Sequence, residues 1–142
     1  MAKYTAFDVD RSPTIISALV HGGVVNGLDV AWLRREVFVS GEVTREQADE
    51  LFTVARSRAV KTSAWTAFFV EKITDHVLGR PRADGVVGGD VANWLIGRVD
   101  EAATREALAA LVNVLAEARR APQWLIAAAH ERADRRWPAT VG

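Results

Sequence analysis

Three histidines, His21, His76 and His130, are the residues of this 142-residue chain best suited to proton transfer or metal binding. His130 stands one helical turn before Asp134, on a shared face. Such a pair can share a divalent cation, but two ligands are too few for a stable site, so a third must come from elsewhere in the fold. His76 follows Asp75 near the end of an apolar helical pattern, and His21 lies in a glycine-rich loop. His76, His130 and Asp134 are therefore the metal candidates. The plainer expectation is surface histidines near helix C-termini, where the dipole favours positive charge.

Acidic residues beside glycines invite comparison with a calcium loop. That loop needs Asp or Asn at positions 1, 3 and 5, glycine at 6 and Glu at 12. Setting Gly85 of "ADGVVGGD" at the glycine position puts Arg80 and Arg82 at the first two ligand positions and Val91 at the last. Setting Gly41 there puts Glu36, Phe38 and Ser40 at the first three and Gln47 at the last. "DVDRSPT" begins with Asp8, Asp10 and Ser12 but has Pro13 where glycine belongs and Leu19 where Glu belongs. None of the three fits.

Catalytic signatures are equally missing. There is no Gly-x-Ser-x-Gly elbow, no Walker loop and no dinucleotide fingerprint. Adjacent carboxylates such as Asp49-Glu50 point apart on a helix. The chain has no cysteine, which excludes disulfides, thiolate zinc sites and cysteine nucleophiles. The expectation is a non-enzyme with no catalytic residue and no cofactor.

Binding residues are easier to find. Five tryptophans are many for this length. Trp65 and Trp94 are expected to anchor the core. Trp32, Trp124 and Trp137 are expected to be partly exposed, where Trp is the type most often energetic at protein interfaces. Near the C-terminus, Arg119, Arg120, Arg132, Arg135 and Arg136 outnumber Glu131 and Asp134. Arg132, Arg135 and Arg136 complete the interaction candidates. The chain balances 18 Lys and Arg against 18 Asp and Glu, so no global field draws nucleic acid or an anionic membrane. Its apolar runs are too short to span a bilayer. "MAKYTAFDVDRSP" has no apolar h-region, so the expected location is cytoplasmic.

The elements that must position these residues read as helices. "DVAWLRREVF" places Val30, Leu33 and Val37 on one face, with Asp29 able to cap its start. Thr44 can cap the next helix, and Gln47 completes a capping box. Ala48, Leu51, Phe52 and Ala55 form its stripe. Thr62 or Ser63 opens "AWTAFFVEKITDHVL", apolar nearly all round and so expected in the middle of the fold. "TIISALV" could be helix or strand, and "HGGVVNG" reads as a loop. "GGDVANWLIGRV" then mirrors "GLDVAWL", and "TREALAALVNVLAEARR" mirrors "TREQADELFTVA". Pro122 opens a last helix. The landmarks Trp32/Trp94, Thr44/Thr104 and Trp65/Trp124 recur in order. They predict an all-α, single-domain bundle of about six to seven helices, built from two three-helix units over residues 28–78 and 89–137. Residues 1–12 are expected to be an irregular leader.

The stretches "SPTIISALVHGG", "LRREVF", "EQADELF", "WTAFFVEKITDHV", "NWLI" and "LAALVNVLAEARRAPQWL" resemble an uncharacterised family of small bacterial all-helical proteins. "GEVTREQADELF" is also distantly similar to the TerB-like fold, the tellurite-resistance-type helical domain of stress responses. That likeness implies duplicated helical units. The acidic positions of a metal-binding member are not matched here. Together these features lead to an expected non-enzymatic interaction or regulatory module that self-associates or binds a protein partner and is stress-related. The alternative is a stress protein that binds a metal or small ligand.

Overall fold

The computed structural model describes Ile16, residues 18–81 and residues 84–134. Among these, six α-helices dominate: α1 (Gly27–Glu36), α2 (Arg45–Ala55), α3 (Ser63–Leu78), α4 (Gly89–Ala102), α5 (Arg105–Glu117) and α6 (Gln123–Asp134). The all-α architecture matches expectation. The leader at residues 1–12, and Arg135, Arg136 and Trp137, lie outside the described residues.

Helix starts follow local chemistry, with two corrections. Thr44 accepts from the Gln47 backbone N–H, and Gln47 accepts in return from the Thr44 N–H, so the predicted capping box forms. Thr104 caps α5 by accepting from Ala107. Asp29, however, does not cap α1. Asn26 occupies that position and accepts from Leu28 and Asp29, while the Asp29 carboxylate accepts from the Asn26 N–H. Thr62 stands at the start of α3, but its hydroxyl donates to the Val25 carbonyl instead of capping. At the other end of α3, Gly79 is left-handed (φ 70°). Its N–H donates to His76 and that of Arg80 to Asp75, a Schellman stop.

The "HGGVVNG" segment is more than a loop. A 3₁₀ turn (Leu19–Gly22) leads into β1 (Val24–Val25), which pairs in parallel with β2 (Val60–Lys61). The Val60 N–H donates to Gly23 and the Thr62 N–H to Val25. A second parallel bridge joins Val86, before α4, to Arg120, before α6. Each extended contact therefore ties the segment before one helix to the segment before the next helix but one.

A single buried cluster draws on all six helices. α3 lies at its centre, packed against α1, α2, α4 and, most extensively, α5. Trp65, Phe68, Phe69, Ile73 and Val77 bury different sides of it, as its all-round apolar pattern requires. Phe52 and Trp65 pack on Phe69, and Phe38 meets Phe68 edge-on. Lys72 is also buried, with Nζ 3.4 Å from Glu71 and 3.6 Å from Asp75. The counterpart predicted for α3 behaves differently. α6 rests chiefly on α5, and Trp124 is 42% exposed where Trp65 is fully buried.

Candidate interaction surface

α5 faces the core with Ala107, Ala110, Leu111 and Val114. Its outward face carries Arg105, Ala109, Val112 and Ala116, spaced i, i+4, i+7 and i+11, and all four are exposed. A solvent-facing helix face normally bears charges, yet none falls between Glu106 and Glu117. Val112 is 46% exposed. Leu108 and Leu115 are only partly covered at its side. The apolar character continues onto α6: a groove of about 250 Å³ is lined by Val112, Leu115, Ile126, Ala129, His130 and Ala133. On the other flank of α5 a shallow groove of about 590 Å³ meets α3, between Ala67, Val70 and Thr74 on one side and Asn113 and Glu117 on the other.

The predicted interaction residues divide. Trp124, exposed at the start of α6, is available to a partner. Trp32 is partly buried against the core. Arg132 is engaged within the chain. Its guanidinium makes two 2.7 Å hydrogen bonds to Asp100 and a third to the Ala128 carbonyl. It therefore fastens α6 to the end of α4, and only 15% of its side chain is exposed. The sequence showed an arginine on a charged helix end; its tertiary partner lies on another element.

The metal candidates are not assembled. Among the described residues no three His, Asp or Glu side chains are placed to hold an ion. His130 sits in the α5–α6 groove, and Asp134 is exposed at the end of α6. His76 is held by both ring nitrogens. Nδ1 lies 2.8 Å from the Val43 carbonyl, which can only accept, so this nitrogen carries the proton. Nε2 accepts from Arg45 Nε at 3.3 Å. Burial lowers the affinity of His76 for a second proton; the Val43 hydrogen bond acts in the opposite sense and the Arg45 charge in the same one.

Arg45 and Glu106 were missed as structural residues. The Arg45 guanidinium lies 4.7 Å over the Trp94 ring, whose indole N–H donates to Asp49 at 2.8 Å. Arg98 donates to the same Asp49 oxygen. Glu106, in the first turn of α5, accepts from Trp65 Nε1 at 2.7 Å, and Lys61 Nζ is 3.8 Å from its other oxygen. Lys61 also donates to the Ala55 and Ser57 carbonyls and so closes the end of α2. Burial pushes the Glu106 carboxyl up, opposed by the Trp65 hydrogen bond and the Lys61 charge. The equivalent Glu46 is exposed. Burial is the difference, and no local pattern signals it.

Comparison with known protein families, with characterised proteins and with solved structures found no match. Among the described residues no helix is long and apolar enough to cross a membrane.

Proposed function

We propose that this chain is a protein-interaction module that self-associates through the α5–α6 face. The observation that carries the proposal is the outward face of α5, uncharged beyond Arg105 and continuous with the apolar groove beside α6. An exposed apolar patch of this kind marks an interaction site more often than a bare surface. The polar clusters support the same reading. His76, Glu106 and Asp49 each hold neighbouring elements together and are engaged in doing so. The recurrence of Thr44 and Thr104 caps and of two parallel bridges supports descent of the two halves from one unit.

Light scattering across a concentration series tests the proposal, with Val112→Glu as the probe. The wild type is expected to associate. The variant, altered at an exposed position, is expected to keep its helicity and to bind at least about a hundredfold more weakly, because a carboxylate is left desolvated. Wild-type protein that stays monomeric at tens of micromolar would sink the self-association; unchanged association in Val112→Glu would move it to another face.

A further inference from the structure

We infer that His76 and Arg45 form an acid-operated cover over Trp94: proton uptake at His76 Nε2 drives the Arg45 guanidinium off the indole and opens the junction of α2, α3 and α4. None of the three residues is on α5 or α6. His76, near the end of α3, donates through Nδ1 to the Val43 carbonyl, 2.8 Å away and just before α2. Its Nε2 accepts from Arg45 Nε at 3.3 Å. The Arg45 guanidinium lies 4.7 Å over the Trp94 ring of α4. The His76 ring meets Trp94 edge-on, with 5.0 Å between centroids. Arg45 is itself exposed. Among the described residues, one lone pair and one aromatic face hold its guanidinium there.

A proton on Nε2 turns that acceptor into a donor facing another donor, and a neutral ring into a second cation. Like charges at this range, in a partly buried cleft, repel more strongly than a surface cation–π contact attracts. Arg45 gives way because it is exposed, whereas His76 is partly buried and anchored by Val43. Burial is the main influence on the proton affinity of His76 and lowers it; Arg45 also opposes the imidazolium, while Val43, Asp49 and Glu46 favour it. Asp49 is already engaged by the Trp94 indole N–H and by Arg98 of α4. Glu42, Asp75 and Arg80 line a cleft of about 320 Å³ that His76 shares, and Asp75 is paired with Lys72 and Arg80. That cleft is the path by which solvent delivers the proton. Because burial outweighs the carboxylates, the cover is shut at neutral pH and opens only below the ordinary histidine value of about 6.5.

NMR of the full chain tests the cover, with the Trp94 ring signals assigned by Trp94→Phe. Between about pH 8 and about pH 5, the Trp94 ring protons are expected to gain relaxation from a soluble uncharged nitroxide, with the same midpoint as the His76 ring and with helicity unchanged. His76→Gln keeps hydrogen-bonding groups but takes up no proton in this range, so Trp94 is expected to stay covered throughout. Arg45→Ala, at an exposed position, is expected to leave Trp94 uncovered at every pH and, by reciprocity, to move the His76 midpoint upward. Should His76→Gln fail to fold, Arg45→Ala decides alone. Trp94 relaxation that stays flat while His76 titrates overturns the inference. So does a response that persists in His76→Gln, which would belong to the carboxylates, or one that appears only as helicity is lost, which would be unfolding. A His76 midpoint that is unmoved or lower in Arg45→Ala overturns the coupling between the two residues.

Discussion

The indole N–H of Trp65 donates to Glu106 across 2.7 Å, joining the first turn of the central helix α3 to the first turn of α5. Lys61 completes the cluster from the segment just before α3. Removing the carboxylate leaves a buried N–H without its partner and a cation without its counter-charge. Glu106→Ala is expected to lower unfolding stability by about 1–3 kcal/mol, and Glu106→Gln by less because it keeps an acceptor. Denaturant melts compare the two; equal losses would argue that the Trp65 contact contributes nothing.

The same cluster has a pH signature. The Glu106 carboxyl is raised by burial, so the folded state keeps its proton to higher pH than the unfolded chain does. Its contribution is most favourable below the unfolded value and falls as pH rises through the folded one. Subtracting the Glu106→Gln stability profile from that of the wild type is expected to show this decline above the ordinary carboxylate range. A difference that rises with pH there would contradict the burial of Glu106.

His76 slopes the other way. Its protonation is disfavoured in the fold, chiefly by burial. The unfolded chain takes up the proton first as pH falls, so the His76 contribution is complete above the unfolded value of about 6.5 and is lost as pH drops toward the folded one. Protonated Nε2 can no longer accept from Arg45, and Arg45 stacks on Trp94. NMR titration is expected to place the His76 midpoint below 6.5, with a concurrent change in Trp94 fluorescence. His76→Gln should remove both, and a midpoint at or above 6.5 would show that the ring is not held as described.

Arg132 is expected to matter for α6 rather than for association. Its bonds to Asp100 are charge-assisted, but Asp100 is largely solvated, so Arg132→Ala is expected to cost about 1 kcal/mol. Hydrogen exchange should quicken across residues 123–134. If Arg132→Ala abolishes self-association while exchange in α6 is unchanged, Arg132 contacts the partner directly.

Ala103 ends α4 in the left-handed region, with φ 52°. An L side chain there is strained, and Gly relieves it at the expense of a more flexible unfolded chain. Ala103→Gly is expected to stabilise by up to about 1 kcal/mol, read from the thermal midpoint. A lower midpoint would mean that Gly's unfolded-state entropy outweighs the relief of strain.

Much of the helical frame was legible from local spacing. Thr44 with Gln47, and Thr104, mark helix starts because a cap is made by residues within one turn of each other. The placement of α3 was legible too, since a helix apolar on every side must be surrounded. The mini-sheet escaped because Val24 and Val60 pair across a long stretch of chain and two residues make no periodic pattern. Among the proposed interaction residues, Trp124 stood out as an aromatic on a helix surface, while the ion pair of Arg132 was not legible because its carboxylate lies on another helix.

By itself the sequence determined where helices begin and which faces turn inward, because capping and apolar periodicity act over a few residues. The words Thr44-Arg45-Glu46 and Thr104-Arg105-Glu106 are identical at that range, and both open a helix. Only the tertiary structure decided that Glu106 lies under Trp65 and beside Lys61 while Glu46 faces water, and that Arg45 covers Trp94 while Arg105 borders the outward face of α5. The physical reason is that desolvation and charge pairing depend on what other elements bring alongside a residue, which its neighbours in sequence do not specify.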